Sequence, residues 1–207
     1  MARGGRLKNS KYVIFIGGIP GVGKTSISGY LAKALNVDIV LSGDYLREFM
    51  RPFFPDDNVI QHSVYDAWKQ FGTDSRENIE EGFREQAELI NNGFNSVFKR
   101  AISNGESVIL ESLYFLPSLI DVDIRNKIIM LYLYVKNMEE NAKKLLERTK
   151  FTHSGSPGNR LADQLPRYRI LMDTSMKECK TFNIPVFDTT DYYAARMKIS
   201  QYVRGRQ

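Results

Sequence analysis

The sequence predicts an α/β fold: a five-stranded, mainly parallel sheet with helices on both faces. Three observations predict it. Short apolar runs alternate with longer amphipathic stretches along the whole chain, the order expected when each strand is followed by a covering helix. Four of the five runs are almost continuously apolar, as strands buried on both faces are. The first run leads directly into a glycine-rich loop and then an amphipathic stretch, which is strand, loop and helix in series. With 43% hydrophobic and 26% charged residues the chain has the mixture that builds a core, so disorder and fibrous repeats are excluded. Its 207 residues suit a single domain spanning 1–207, domains being commonly about 100–200 residues long.

Taken in order, strands are expected at 12–16, 38–41, 107–110, 128–135 and 185–187, with 38–41 the weakest of the five. Helical periodicity is expected at 24–35, 44–50, 59–70, 75–104, 138–148 and 165–181, with a last helix after Asp191. Gly105 reads as the stop of the long helix and Ser75, three residues before Asn78, as its N-cap. Residues 150–166, KFTHSGSPGNRLADQLP, are rich in Gly, Ser and Pro and read as an excursion between two helices, placing a lid at about 149–166. The longest apolar run, 128–135, is eight residues, against about 20 for a membrane-spanning helix. A cytoplasmic protein without a membrane partner is expected. The single cysteine, Cys179, reads as a packed helix residue in a reducing compartment, without Cys or His neighbours at metal-binding spacing.

The net charge of +5 lies in the ends. Residues 1–11 carry Arg3, Arg6, Lys8 and Lys11, and residues 192–207 carry Arg196, Lys198, Arg204 and Arg206, with no acid in either segment. Removing these eight leaves 21 basic against 24 acidic side chains. A nucleic-acid partner is therefore not expected, because such a partner calls for a basic stripe on the folded body. The sequence leaves the assembly open between a monomer and a homodimer.

The chemistry begins at YVIFIGGIPGVGKTS, where Gly18, Gly23, Lys24 and Thr25 fill the pattern G-x-x-x-x-G-K-[ST] between a strand and a helix. This is a phosphate-binding P-loop. Gly18, Ile19, Pro20, Gly21, Val22, Gly23, Lys24, Thr25 and Ser26 are expected to cradle ATP through their N–H groups. Lys24 should reach the β- and γ-phosphates, and Thr25 should hold Mg²⁺. A GTP switch is excluded: the Asn126–Lys127 pair is followed by Ile128 and Ile129 rather than a guanine-reading Asp, and no Asp has a Gly three residues on. A mechanical ATPase usually needs a longer chain. A small phosphoryl-transfer enzyme remains.

The second strand ends in LSGDYLREFMR, so Asp44, Arg47 and Arg51 share one helix face on the ligand side of the sheet. Asp44 is expected to take the acceptor hydroxyl's proton, and the arginines to hold the acceptor's carboxylate or phosphate. The competing reading is an N-capping aspartate in a surface ion pair with Arg47. Glu111, at the end of the third strand, is expected to orient Mg²⁺-bound water, or else to face solvent. Arg148, Arg160 and Arg169 around the lid are candidates to neutralise the transferred phosphoryl group, unless they are a solvated surface. Trp68 and Tyr114 are expected at the acceptor, within an apolar set that also includes Phe49, Phe53, Phe54, Tyr65, Leu113 and Phe115. His62 and His153 are isolated and read as loop or packing residues.

The whole pattern resembles the archaeal 2-phosphoglycerate kinase-like family of P-loop kinases over roughly residues 12–200. The resemblance lies in GGIPGVGKTS, SGDYLREFMR, YDAWKQFG, GFREQAELINNG, SVILES, NRLADQLPRYRILMD and IPVFDTTD. It implies the strand order of nucleoside monophosphate kinases and an ATP-dependent kinase acting on a small phosphorylated hydroxy acid. Two departures stand out. The family's E-G-x-H-x-x-P is here Glu111-Ser112-Leu113-Tyr114-Phe115-Leu116-Pro117, and the chain starts almost at the P-loop strand. These resemble a compact branch whose acceptor is mevalonate 3-phosphate. They imply phosphorylation of its 5-hydroxyl in archaeal isoprenoid biosynthesis, with 2-phosphoglycerate as the alternative acceptor. Two rival readings are a nucleotide-binding regulator without kinase activity and a kinase of polynucleotide 5′-hydroxyls.

Overall fold

The computed structural model describes residues 11–147 and 158–206. Five strands, β1 (Val13–Gly17), β2 (Ile39–Ser42), β3 (Val108–Ser112), β4 (Ile129–Tyr134) and β5 (Val186–Asp188), form one sheet in the order β2-β3-β1-β4-β5. Every pairing is parallel. The central strands β1 and β3 are buried throughout, which is why their sequences are continuously apolar rather than alternating. The sequence-predicted α/β class and five strands are found. β2, at the sheet edge, leaves Ile39 and Val40 exposed, the physical reason its apolar run is the weakest.

Helices cover the sheet: α1 (Lys24–Leu35), α2 (Gly43–Met50), α3 (Asn58–Gln61), α4 (Arg76–Asn104), α5 (Val122–Arg125), α6 (Met138–Glu147), α7 (Gly158–Asp163), α8 (Leu165–Thr181) and α9 (Tyr192–Arg204). The signals for α4 are realised as expected. Ser75 accepts a hydrogen bond from Asn78 N at 3.2 Å, and Gly105 closes the helix at φ 63°, a left-handed stop suited to glycine. Phe94 and Phe98 of this helix pack edge-on and tilted against Phe15 of β1. The sheet and its longest helix thus share one core.

Three expectations need correction. The 59–70 helix is two pieces, α3 and a 3₁₀ turn at Ala67–Gln70, because Gln86 of α4 bonds the carbonyls of Val59 and His62 and turns the chain there. The 107–110 strand runs on to Ser112, which puts Glu111 inside the sheet rather than beyond it. The 149–166 lid is not all loop: residues 158–163 form α7, seated on α6 by buried Gly158 and Leu161. Residues 148–157 lie outside the described residues, and with them Arg148, Lys150 and His153. So do residues 1–10 of the basic N-terminal segment. Among the described residues, no helix is long and apolar enough to cross a membrane.

Candidate active site

The register of the sheet assembles the site. β3 lies between β1 and β2, so Glu111 stands opposite Ile16, at the foot of the P-loop, and opposite Ser42, where α2 begins. β1 is also the point from which the chain departs to both sides of the sheet, and ligands of open α/β sheets bind beyond the strand ends at such a point.

The P-loop is shaped by backbone that only glycine takes readily. Gly21 and Gly23 adopt φ of 83° and 88°, left-handed values at which any side chain would be strained. Neighbouring elements fix the loop from outside. Gly18 N donates to Ser112 O at 3.2 Å, Asn141 of α6 donates to Pro20 O at 3.2 Å, and Thr189 beyond β5 donates to Val22 O at 2.7 Å. Asn141 and Thr189 were not singled out in the sequence, where an Asn in an amphipathic helix and a Thr after a strand carry no signal of their own.

Lys24 turns back over the loop, donating to Ile19 O at 3.3 Å and lying 3.9 Å from Glu111 Oε2. Thr25 Oγ1 donates to Glu111 Oε1 at 3.2 Å. Glu111 is only 7% exposed, and a buried carboxylate needs such partners. Among the described residues no cluster of three or more His, Cys, Asp or Glu could cage a metal by itself. One hydroxyl and one carboxylate beside a phosphate cradle are instead the oxygen set suited to Mg²⁺, which commonly takes one or two protein oxygens together with phosphates and water.

On the other side of Glu111, α2 starts hard against β3. A Cβ on Gly43 would meet Ser112 Oγ at 2.3 Å and Phe94 Cζ at 3.1 Å, and Ser112 Oγ is already held by Tyr114 N at 3.0 Å. Gly43→Ala is therefore expected to push α2 outward and lower the melting temperature by about 3–12 °C. Thermal unfolding followed by circular dichroism checks this; an unchanged melting point would contradict the packing described.

Asp44 follows, exposed at the first turn of α2. Arg47 is one turn on, its side chain 13% exposed. Arg47 Nη1 donates to the hydroxyl of Tyr114 at 3.1 Å, Tyr114 donates to Gln86 Oε1 at 3.0 Å, and Gln86 Nε2 donates to the carbonyls of Val59 and His62. Burial pushes the Tyr114 phenol up to about 12 against the opposing pull of Arg47, so it remains a protonated donor. Arg51 donates through Nε to Ile60 O at 3.2 Å and through Nη2 to Gln61 O. Both guanidinium groups also bond Glu48. Desolvation acts to raise the Glu48 carboxyl, but the bonds from Arg47 and Arg51 outweigh it and hold the group below the ordinary glutamate range.

Several expected site residues stand elsewhere. Tyr114 is wholly buried; it holds Arg47 and does not face an acceptor. Leu113 and Phe115 are core residues, whereas Phe49 and Phe53 are exposed on α2 and the turn after it. Trp68 is partly buried, with Lys69 and Arg167 over its ring. Arg169 donates to the carbonyls of Val135 at 2.6 Å and Lys136 at 3.0 Å, so its guanidinium ties α8 to the end of β4. Arg160 is exposed on α7. The ring of Tyr168 lies edge-on to Tyr65 at 5.8 Å. Burial, followed by the nearby charge of Asp44, raises the Tyr168 phenol, and Arg160 opposes this. Tyr168 is a core residue, 3% exposed, packed on partly buried Tyr65; Gln86 and Glu48, like Asn141 and Thr189, carry no sequence signal of their own.

The chain matches the AAA domain family over residues 14–164. It is 46% identical to mevalonate-3-phosphate 5-kinase of Thermoplasma acidophilum over 90% of this chain and 93% of that one. The chain belongs to the P-loop kinase family that includes this relative. Within that family it is a small-molecule kinase, and it is 28% identical to 2-phosphoglycerate kinase of Pyrococcus horikoshii over 91% of its own length but only 63% of the relative's. The fold is also that of shikimate kinase from Acinetobacter baumannii, with a TM-score of 0.51 at 16% identity over 94% of this chain and 92% of that one.

Proposed function

We propose that this kinase transfers the γ-phosphate of ATP to the 5-hydroxyl of mevalonate 3-phosphate, giving mevalonate 3,5-bisphosphate in isoprenoid biosynthesis. One observation carries the reading: the 46% likeness to mevalonate-3-phosphate 5-kinase runs end to end, over 93% of that relative. The 2-phosphoglycerate kinase of Pyrococcus horikoshii is matched over only 63% of its length.

In this reading the P-loop N–H groups and Lys24 hold the triphosphate, with Lys24 drawn to the β- and γ-oxygens as charge redistributes there. Thr25 and Glu111 would hold Mg²⁺, which when bound neutralises phosphate charge and orients the transferred group. Arg47 and Arg51 receive the acceptor's anionic groups by charge-assisted bonds. That leaves the acceptor's primary hydroxyl at Asp44, near the phosphate cradle. As the hydroxyl oxygen bonds to the γ-phosphorus, the bond from that phosphorus to the bridging oxygen breaks and ADP leaves with the electron pair. Asp44 accepts the hydroxyl proton and, being exposed, returns it to solvent.

Initial rates measured side by side with mevalonate 3-phosphate and 2-phosphoglycerate at equal concentration test the choice of acceptor. Faster turnover of mevalonate 3-phosphate is expected; faster turnover of 2-phosphoglycerate would reverse it. ATP consumption that no acceptor stimulates would point instead to a nucleotide-binding regulator.

A further inference from the structure

Arg47 and Arg51 are each fastened from the protein side. Arg47 spends Nη1 on Tyr114, whose hydroxyl cannot turn away because its own proton goes to Gln86. Arg51 spends Nε and Nη2 on the carbonyls of Ile60 and Gln61. The remaining terminal nitrogens converge on one carboxylate: Arg47 Nη2 lies 2.6 Å from Glu48 Oε1, and Arg51 Nη1 lies 2.8 Å from Glu48 Oε2. Adjacent residues on a helix do not face each other, so the Arg47 to Glu48 bond forms because Tyr114 draws the guanidinium to the side. The Glu48 side chain is 52% exposed, against 13% for Arg47 and 27% for Arg51. The bridging carboxylate is therefore the solvent-side member of the trio. Arg47 Nε, by contrast, is buried without a hydrogen-bond partner, so the protein leaves part of this guanidinium unsatisfied.

A carboxylate spanning two guanidinium groups is the arrangement an acceptor's carboxylate or phosphate would itself take up. We propose that Glu48 is a displaceable stand-in for the acceptor's anionic group, holding Arg47 and Arg51 in their binding geometry and leaving them when the acceptor arrives. The inference rests on the reading that these two arginines bind the acceptor. Leaving costs Glu48 little, because a half-exposed carboxylate regains water. The arginines then exchange a single negative charge for the acceptor's larger one. Glu48 accordingly sets how strongly an anion must bind to enter, and any anion competing for the pair pays the same cost of displacement.

The test uses the full chain with a non-hydrolysable ATP analogue. Titration calorimetry gives the Kd of mevalonate 3-phosphate, and the same titration repeated in inorganic sulfate gives the Ki of sulfate competing with it. Glu48→Gln is expected to tighten both by about 3- to 30-fold, and by the same factor, since two partly exposed ion pairs are released. Glu48→Ala should act in the same direction. Weakened or unchanged binding in both variants would overturn the proposal and make Glu48 a fixed support of the arginines. Arg47→Met separates the two readings. It should weaken both ligands by tenfold or more. If it does so while the Glu48 variants fail to tighten them, the stand-in role alone falls; if Arg47→Met leaves both unchanged, the arginine reading falls and the proposal with it.

Discussion

Replacing Lys24 by alanine is expected to lower kcat for phosphoryl transfer by about 10³-fold or more, roughly 4 kcal/mol of transition-state stabilisation. The side chain lies over the P-loop between Ile19 O and Glu111. In the proposed reaction it thus lies where negative charge would move from the γ-phosphoryl group to the leaving oxygen. Glu111 keeps its bond from Thr25 in the variant, so the effect should fall on turnover more than on folding. Single-turnover kinetics with a melting curve on the same preparation separate the two. Near-normal turnover in a folded variant would contradict the assignment of the phosphate cradle.

Asp44→Asn is expected to lower kcat by about 10²- to 10⁴-fold with the KM for ATP nearly unchanged. The amide keeps the size and hydrogen-bonding reach of the carboxylate but cannot take a proton from the acceptor hydroxyl. ATP affinity should persist because the P-loop is fixed independently, through Ser112, Asn141 and Thr189. Steady-state kinetics in both substrates check the split. A collapse of ATP binding with kcat preserved would make Asp44 a structural or metal-linked group and leave the proton transfer to another residue.

The placement of the P-loop after β1, and of Asp44 and Arg47 on the helix after β2, was legible in the sequence because local pattern and chain order together set where a strand ends and a helix begins. Glu111 was legible for the same reason, although its partners, Thr25 and Lys24, depend on β3 being the strand next to β1. What sequence could not supply is the direction of side chains in irregular segments. Leu113, Tyr114 and Phe115 follow a buried strand in an aperiodic turn, so nothing local distinguishes a pocket wall from core, and all three are buried. Gln86 reads as a polar residue of an amphipathic helix, yet it is fully buried because Tyr114 and two backbone carbonyls satisfy it. Arg169 shows the converse. A lid-side arginine suggests phosphate, but the carbonyls at the end of β4 reach it first. The split of the 59–70 stretch likewise follows from Gln86, 24 and 27 residues away from the carbonyls it binds, a contact with no trace in local periodicity.

In the proposed reaction the P-loop and the acid of α2 meet across Glu111 to phosphorylate a primary hydroxyl. The most direct measurement is the product itself. Mevalonate 3-phosphate, ATP and Mg²⁺ are incubated with the protein and followed by ³¹P nuclear magnetic resonance and mass spectrometry. The prediction is one new phosphomonoester, its phosphorus coupled to the methylene protons of carbon 5, appearing in equal amount with ADP. ADP released with inorganic phosphate and no such ester, or a phosphate placed on the carboxylate instead, would contradict it.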